Sequence, residues 1–533
     1  MPSVLAAFLC SISLGHCPPP KPAVVTPPAP TPAPAPAPAP ASDPTAITGA
    51  QAWIAAGRQA LEAAQKPVNT EIRARNLILF LGDGMGMSTV TAARILEGQN
   101  KGLPGEENRL AFENFPATAL AKTYNTDLQV PEAAGTMSAI MTGVKTRGGS
   151  VAMDETPEQG ACASGFGHET ATLLEKAKDA GLAAGLVSTS RITLAVPAAT
   201  YAHVSDHDWE FDGWMPAQAK VEGCRDIARQ LVEFDHRGSL DIVLGGGRLA
   251  FMPLNQADPQ QRWRRGVRGD RMDLIANWSA RNPKGRYVWS AGQLAAAAVV
   301  RGPILGLFAP DNLASVTDHA AQGPDEPSLA DMTQAAIAKL AQSPRGFVLV
   351  VHAGGIDAAH HDGNAARALA ETIALSDAVR AAAAMTTPQE TLILVTADHS
   401  HTLSLGGYPR RGAPILGLAT GADDKPLLDD HGRPYTTLTY ANGRGSPLAS
   451  SHGALRTLTA DEVSHADYVQ RAAIPLLAET HAGEDVPVYA SGPGAQWVHG
   501  TLEQNVLYWI MRSALGPPID ASPPPPSTTP APP

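Results

Sequence analysis

The chain has 533 residues, of which 44% are hydrophobic, and a formal net charge of −11. That length exceeds one small core and suits one large α/β domain with insertions. The negative balance excludes a general nucleic-acid-binding surface.

Residues 1–17 hold a short apolar stretch, VLAAFLCSISLGHC, too short to span a bilayer. It is similar to the core of an export signal, although no Lys or Arg precedes it. Cys17 stands where a lipid-modified cysteine would, but His16 before it departs from that pattern, so a membrane tether through the leader is an alternative to cleavage. Residues 18–47 form a Pro/Ala-rich linker, which buries no core and reads as an extended spacer. The Pro-rich stretch 516–533 reads as a disordered tail. Leader and spacer together predict export, to the periplasm, the cell surface or the medium. The body then spans residues 48–515.

In the body, AQAWIAAGRQALEAAQK is an amphipathic helix and NLILFLG a strand apolar on both faces, ending in Gly-Asp-Gly. MSTVTAARIL follows at helical period. The alternation recurs: helix TATLLEKAKDAG then strand AAGLVSTS, IARQLVEF then DIVLGGG, MTQAAIAKLAQ then GFVLVVHAGG, ARALAETIALSDAVRAAA then TLILVTADHS. This predicts an α/β/α sandwich around a mostly parallel central sheet. Cys162 and Cys224 are the body's two cysteines. An even pair suits an oxidising compartment, with two free thiols as the alternative.

Chemistry-bearing residues follow the strands. Asp83 follows the first, His352 and Asp357 belong to VHAGGIDAAHHDG, and Asp398 with His399 to TADHSH. Strand C-terminal ends of an open α/β sheet line one crevice, so distant residues can meet there. Asp357 and His361 are four apart, which places both on one helix face. Asp398 and His399 are adjacent, which suits a turn. Mixed Asp and His ligation without Cys fits catalytic zinc. Two zincs about 4 Å apart would clamp the attacking and leaving oxygens of a phosphoryl group. Each motif alone is more often a solvated turn; their joint occurrence in this order is what argues for a site.

GDGMGMSTVTAARILEGQ, GVKT, PAATYAH, EGCRDIA, VTADHSH, GGYPRRG, ETHAGEDVPV and VHG together resemble the alkaline phosphatase family, especially its animal-type branch, from about Trp53 to Leu515. The resemblance implies two zinc ions per chain, one on Asp357, His361 and His481, the other on Asp83, Asp398 and His399. It implies a Cys162–Cys224 disulfide, a crown-like insertion over 408–480, a homodimer and a phosphate-ester substrate.

The chain departs from that pattern where the covalent chemistry should lie. The family reads Asp-Ser-Ala-Gly-Thr; here the run is Glu132-Ala133-Ala134-Gly135-Thr136, and alanine has no oxygen to attack phosphorus. The arginine that clamps two phosphate oxygens falls on His207, which lacks a bidentate fork. Glu132 and His207 are therefore the candidate substrate contacts. The magnesium positions fall on Val196 and His352, a poor set for an ion that wants hard oxygens, so Mg2+ is not expected; the neighbouring position falls on Leu194. The animal-type calcium site is thinned at Ala309 and Glu326. Thr136 lies a helical turn from Ala133, too far to replace the serine without a register shift. Three readings follow: a phosphatase in which metal-activated water attacks directly, an inactive phosphate- or partner-binding relative, or a hydrolase of phosphodiesters or sulfate esters.

Overall fold

The computed structural model describes residues 49–65, 73–318, 325–447 and 457–516. The expected leader and linker, and the tail beyond Gly516, lie outside the described residues. Among the described residues no helix is long and apolar enough to cross a membrane.

The predicted alternation folds as read. Helix α1 (Ala50–Gln65) precedes strand β1 (Asn76–Gly82) and helix α2 (Met87–Asn100). Strand β2 (Ala117–Lys122) and helix α3 (Ala133–Thr142) follow, then α4 (Leu173–Asp179), β3 (Ala183–Arg191) and the short α5 (Ala195–Ala198). Further strands are β4 (Ile242–Gly246), β5 (Arg286–Val288), β6 (Ile304–Leu307), β7 (Phe347–Ala353) and β8 (Thr391–Thr396). Short strands β9 (Ser400–His401), β10 (Leu403–Leu405), β11 (Leu438–Gly443), β12 (Ala472–Pro475) and β13 (His481–Ala482) come next, before β14 (Val486–Ser491) and β15 (Thr501–Glu503).

Ten strands form one sheet in the order β15-β2-β14-β8-β1-β7-β3-β4-β6-β5. From β8 to β5 every pairing is parallel. β1, β7 and β8 are buried along nearly their whole length, so helices must cover both faces. β14 is antiparallel to both β2 and β8 and turns the far side of the sheet.

Register sets the functional end. Leu81 of β1 pairs with His352 of β7 on one side and with Thr396 of β8 on the other. Asp83, His352 and Asp398 therefore emerge together at the C-terminal edge of three adjacent parallel strands. Over the stretch expected as a crown, β11 and β12 join β10 in a separate three-stranded sheet, and Leu418, Leu458 and Val463 form a small apolar cluster of their own. Tyr408 and Leu477 there are almost fully exposed. The Cys162–Cys224 disulfide is formed, with Cα atoms 6.0 Å apart.

Candidate metal centre

Six side chains from four regions converge in two triangles. In the first, Asp357 and His361 stand one turn apart on the helix Gly355–His361, and His481 comes from β13. Asp357 Oδ1 lies 3.3 Å from His361 Nε2 and 3.5 Å from His481 Nε2, and the two Nε2 atoms are 3.2 Å apart. In the second, His399 Nε2 lies 3.4 Å from Asp83 Oδ1 and 3.4 Å from Asp398 Oδ2. An ion bonded at 2.0–2.1 Å in a tetrahedron has ligand–ligand edges of about 3.3 Å. The three edges of the first triangle and the two edges from His399 in the second have that length. The triangles share a wall: the His399 and His481 rings stack with centroids 3.6 Å apart.

The chemistry of each donor points the same way. Asp398 Oδ1 accepts the Gly84 N–H at 3.1 Å, and Asp83 Oδ2 faces His352 Nε2 at 2.8 Å. Their other oxygens, with His399 Nε2, are buried and have no hydrogen-bond partner among the described residues. Buried polar atoms left so cost about 1–3 kcal/mol each unless something satisfies them. The histidines are fixed in the tautomer a metal needs. His361 Nδ1 donates to the Glu479 carbonyl at 2.6 Å, His481 Nδ1 to that of Pro131 at 2.9 Å and His399 Nδ1 to that of Ser400 at 3.3 Å. Each Nε2 is thereby left with a lone pair aimed inward.

Electrostatics agree. Burial, then the charges of Asp398 and Asp357, hold the Asp83 carboxyl well above the usual range. Burial and the Asp357 charge push Asp398 up to about 6, against the Gly84 N–H. For Asp357 burial also opposes ionisation, but the hydrogen bond from His401 outweighs it and holds the group low.

His401 is a residue that reading the sequence passed over, although it lies inside the DHSH run. Its Nε2 faces Asp357 Oδ1 at 2.8 Å and its Nδ1 faces Glu479 Oε2 at 2.5 Å. Pinned between two carboxylates, its imidazole is raised to about 9 despite burial. Glu479, fully buried, also accepts the Thr402 N–H at 2.7 Å. His360, the other member of the His-His pair, contacts Thr89 and Tyr440 and belongs to the core.

The nucleophile position sits beside the first triangle, because the carbonyl of Pro131, two residues before Ala133, holds His481. Glu132 is the N-cap of α3 and accepts from Ala134 N at 2.9 Å, Gly135 N at 3.3 Å and Gly149 N at 2.6 Å. Its Oε1 lies 3.1 Å from His207 Nδ1. Burial opposes both charges of this pair, but the pairing wins: Glu132 falls to about 2 and His207 rises to about 9. His207 Nε2 lies 3.6 Å from Asp208. Thr136 is buried and its hydroxyl donates back to the carbonyls of Glu132 and Ala133, so it is not presented as a nucleophile.

The expected magnesium positions do not form an oxygen cage. Val196 is buried on α5 and offers no oxygen, Leu194 precedes it, and burial drives His352 down to about 3, a neutral imidazole. At the thinned calcium position, the Ala309 carbonyl accepts the Arg248 N–H and the Glu326 carboxylate the Ala314 N–H.

The sequence profile of the alkaline phosphatase family matches residues 74–516. The chain is 45% identical over 454 residues to the tissue-nonspecific alkaline phosphatase of Gallus gallus, covering 83% of this chain and 85% of that protein. It is 40% identical over 459 residues to the Homo sapiens tissue-nonspecific isozyme, covering 84% of each. Among solved structures, the alkaline phosphatase of Thermus thermophilus superposes with a TM-score of 0.59 at 25% identity, covering 85% of this chain and 94% of that one. The enzyme of the Antarctic bacterium TAB5 gives a TM-score of 0.57 at 19% identity, covering 83% and 98%. The chain belongs to the alkaline phosphatase family, and its α/β fold is that family's fold.

Proposed function

We propose that this chain is a di-zinc hydrolase of phosphate monoesters that works without a phosphoserine and more slowly than its relatives. One observation carries the reading: Asp83 Oδ1, Asp398 Oδ2 and His399 Nε2 are buried, convergent and unsatisfied among the described residues, beside a second triangle of donors on Asp357, His361 and His481. Zinc ions on these two sets would supply charge neutralisation and an activated water. The chain's own residues set the rest. Ala133 leaves space and no oxygen at the head of α3. His207 offers one positive charge, held by Glu132, where a guanidinium fork would order two oxygens. His401 donates to Asp357 Oδ1, the same oxygen that faces His361 and His481. Magnesium is no part of this reading.

The test is the zinc content of purified protein measured alongside hydrolysis of an activated phosphate monoester, with single-turnover labelling. About two zinc per chain, zinc-dependent turnover and no acid-stable phosphoprotein are expected. A zinc-loaded protein without turnover would mark an inactive phosphate- or partner-binding relative. One feature favours a variant reading: Glu132 places a carboxylate on the N–H groups that head α3, which disfavours doubly charged anions there. A panel of phosphodiesters and sulfate esters, which carry one charge fewer, tests that. We also place the protein outside the cytoplasm, because its disulfide needs an oxidising compartment. We read it as a homodimer, with the exposed Tyr408 and Leu477 of the crown-like stretch as candidate contacts; light scattering at micromolar concentration should give twice the chain mass.

A further inference from the structure

A carboxylate that holds a metal with one oxygen needs its other oxygen fixed, or the group rotates. In Asp83 the two oxygens are divided. Oδ1 faces His399 Nε2 and is unsatisfied among the described residues, while Oδ2 lies 2.8 Å from His352 Nε2. Asp83 must be ionised to hold an ion, and a carboxylate oxygen only accepts, so in the metal-holding form Nε2 carries the hydrogen. The other ring nitrogen is equally determined. His352 of β7 is paired in register with Ser188 of β3, and Ser188 Oγ lies 2.9 Å from His352 Nδ1. That hydroxyl already accepts the Ser190 N–H at 2.9 Å, which leaves its own hydrogen for Nδ1. The result is one directed chain: Ser190 N–H to Ser188, Ser188 O–H to His352, His352 N–H to Asp83. The backbone makes room for it. A side chain at Gly354 would place its first carbon 2.0 Å from Ser190 Oγ and 2.6 Å from His352 Cε1.

We infer that His352 is a positioning residue that takes the place of the family's third cation, orienting Asp83 toward the ion held with Asp398 and His399 by a hydrogen bond instead of a metal bond. The inference rests on the metal-pair reading above. A ring nitrogen that carries its hydrogen has no lone pair to offer magnesium, and the Val196 side chain adds no oxygen. The site therefore needs no third ion to fix Asp83, and Asp83 keeps more negative charge for the ion it holds.

The test uses stripped full-length protein titrated with Zn2+ against a chromophoric chelator, and its cobalt(II) form for spectra. His352→Phe keeps the ring without the donor, and His352→Gln keeps an N–H near the position of Nε2. The phenylalanine variant should bind one of its two ions about 10- to 100-fold more weakly, with an altered cobalt spectrum, and the glutamine variant should recover most of that loss. Both ions bound as tightly by His352→Phe as by wild type, or a glutamine variant no better than the phenylalanine one, overturns the inference. If His352→Phe does not fold, Ser188→Ala carries the test: it should weaken the same ion several-fold, and unchanged affinity overturns the proposal. Added Mg2+ should leave the melting temperature of wild type unmoved and raise that of the double variant Val196→Ser, His352→Glu; tight magnesium binding by wild type overturns the inference. Failure of the parent reading looks different, because wild type would then take up no zinc at all.

Discussion

On the proposed reading, Ala133 at the head of α3 sets the clearest mutational expectation. Ala133→Ser places a hydroxyl at the first turn of α3, beside the Pro131 carbonyl that holds His481. It should raise the monoesterase rate at least about tenfold, roughly 1.4 kcal/mol of barrier, and make a phosphoenzyme detectable. Adding His207→Arg should raise it further by restoring a two-pronged contact, read from steady-state kinetics; no gain from either change would remove the monoesterase reading. A pH effect belongs to His207 itself. Glu132 raises it and Asp208 and Asp206 add to that, so the imidazole is cationic until about pH 9. Its folded value lies above the unfolded one, so the pairing contributes fully below about pH 6.5 and is lost as pH rises through about 9. Glu132 sets the lower limit, since its contribution fades as pH falls toward about 2. Inhibition by inorganic phosphate should therefore weaken above pH 9 in wild type and persist in His207→Arg. The six candidate ligands stood out in the sequence because each falls in a short motif, Asp83, Asp398 and His399 just past a strand, Asp357 and His361 on the helix after β7, and His481 at the start of β13. His401 and Glu479 act through a contact between residues 78 apart, which no local pattern encodes.

At the scale of elements, legibility followed burial. β1, β7 and β8 read as strands because they are apolar on both faces, and the helices between them kept a clean period. The antiparallel side was not read. β2 is ATALAK, only partly buried and ending in a lysine, and its identity depends on pairing with β14, far along the chain. Such long-range pairing leaves little mark on either segment. The disulfide is the element-level feature most open to measurement. It joins residues 62 apart and ties the segment before α4 to the stretch before the helix Ile227–Glu233. Closing a loop of that size is worth about 4 kcal/mol in the chain-entropy model. The double variant Cys162→Ser, Cys224→Ser should melt several degrees lower while keeping its zinc content, because neither cysteine is among the residues of the two triangles. A variant as stable as wild type would show that packing alone holds this region.

For the molecule as a whole, the sheet gathers residues from Asp83 to His481 into one largely buried acidic centre, which bound ions would neutralise on the proposed reading. Asp83 and Asp398 are buried with their free oxygens on the same imidazole, and Asp357 adds a third carboxylate. In stripped protein these charges repel in a place water barely reaches, so chelation should lower the melting temperature. The pH dependence has a definite sign. Asp83 and Asp398 have folded values raised above the unfolded ones, Asp398 to about 6. Protonation of the folded form therefore favours the stripped protein at low pH, and that advantage is lost as pH rises through about 6. Zinc acts in the opposite sense, because it binds the deprotonated carboxylates and the neutral histidines and so gains affinity as pH rises. At free zinc a thousandfold above its dissociation constant, one ion adds about 4 kcal/mol. The difference in melting temperature between zinc-loaded and stripped protein should thus be small at pH 5 and grow steadily to pH 8. Other titrating groups are common to both forms and cancel in that difference, so a gap that stays flat across the range, or a chelator without effect at pH 8, would show that the two triangles are not metal sites.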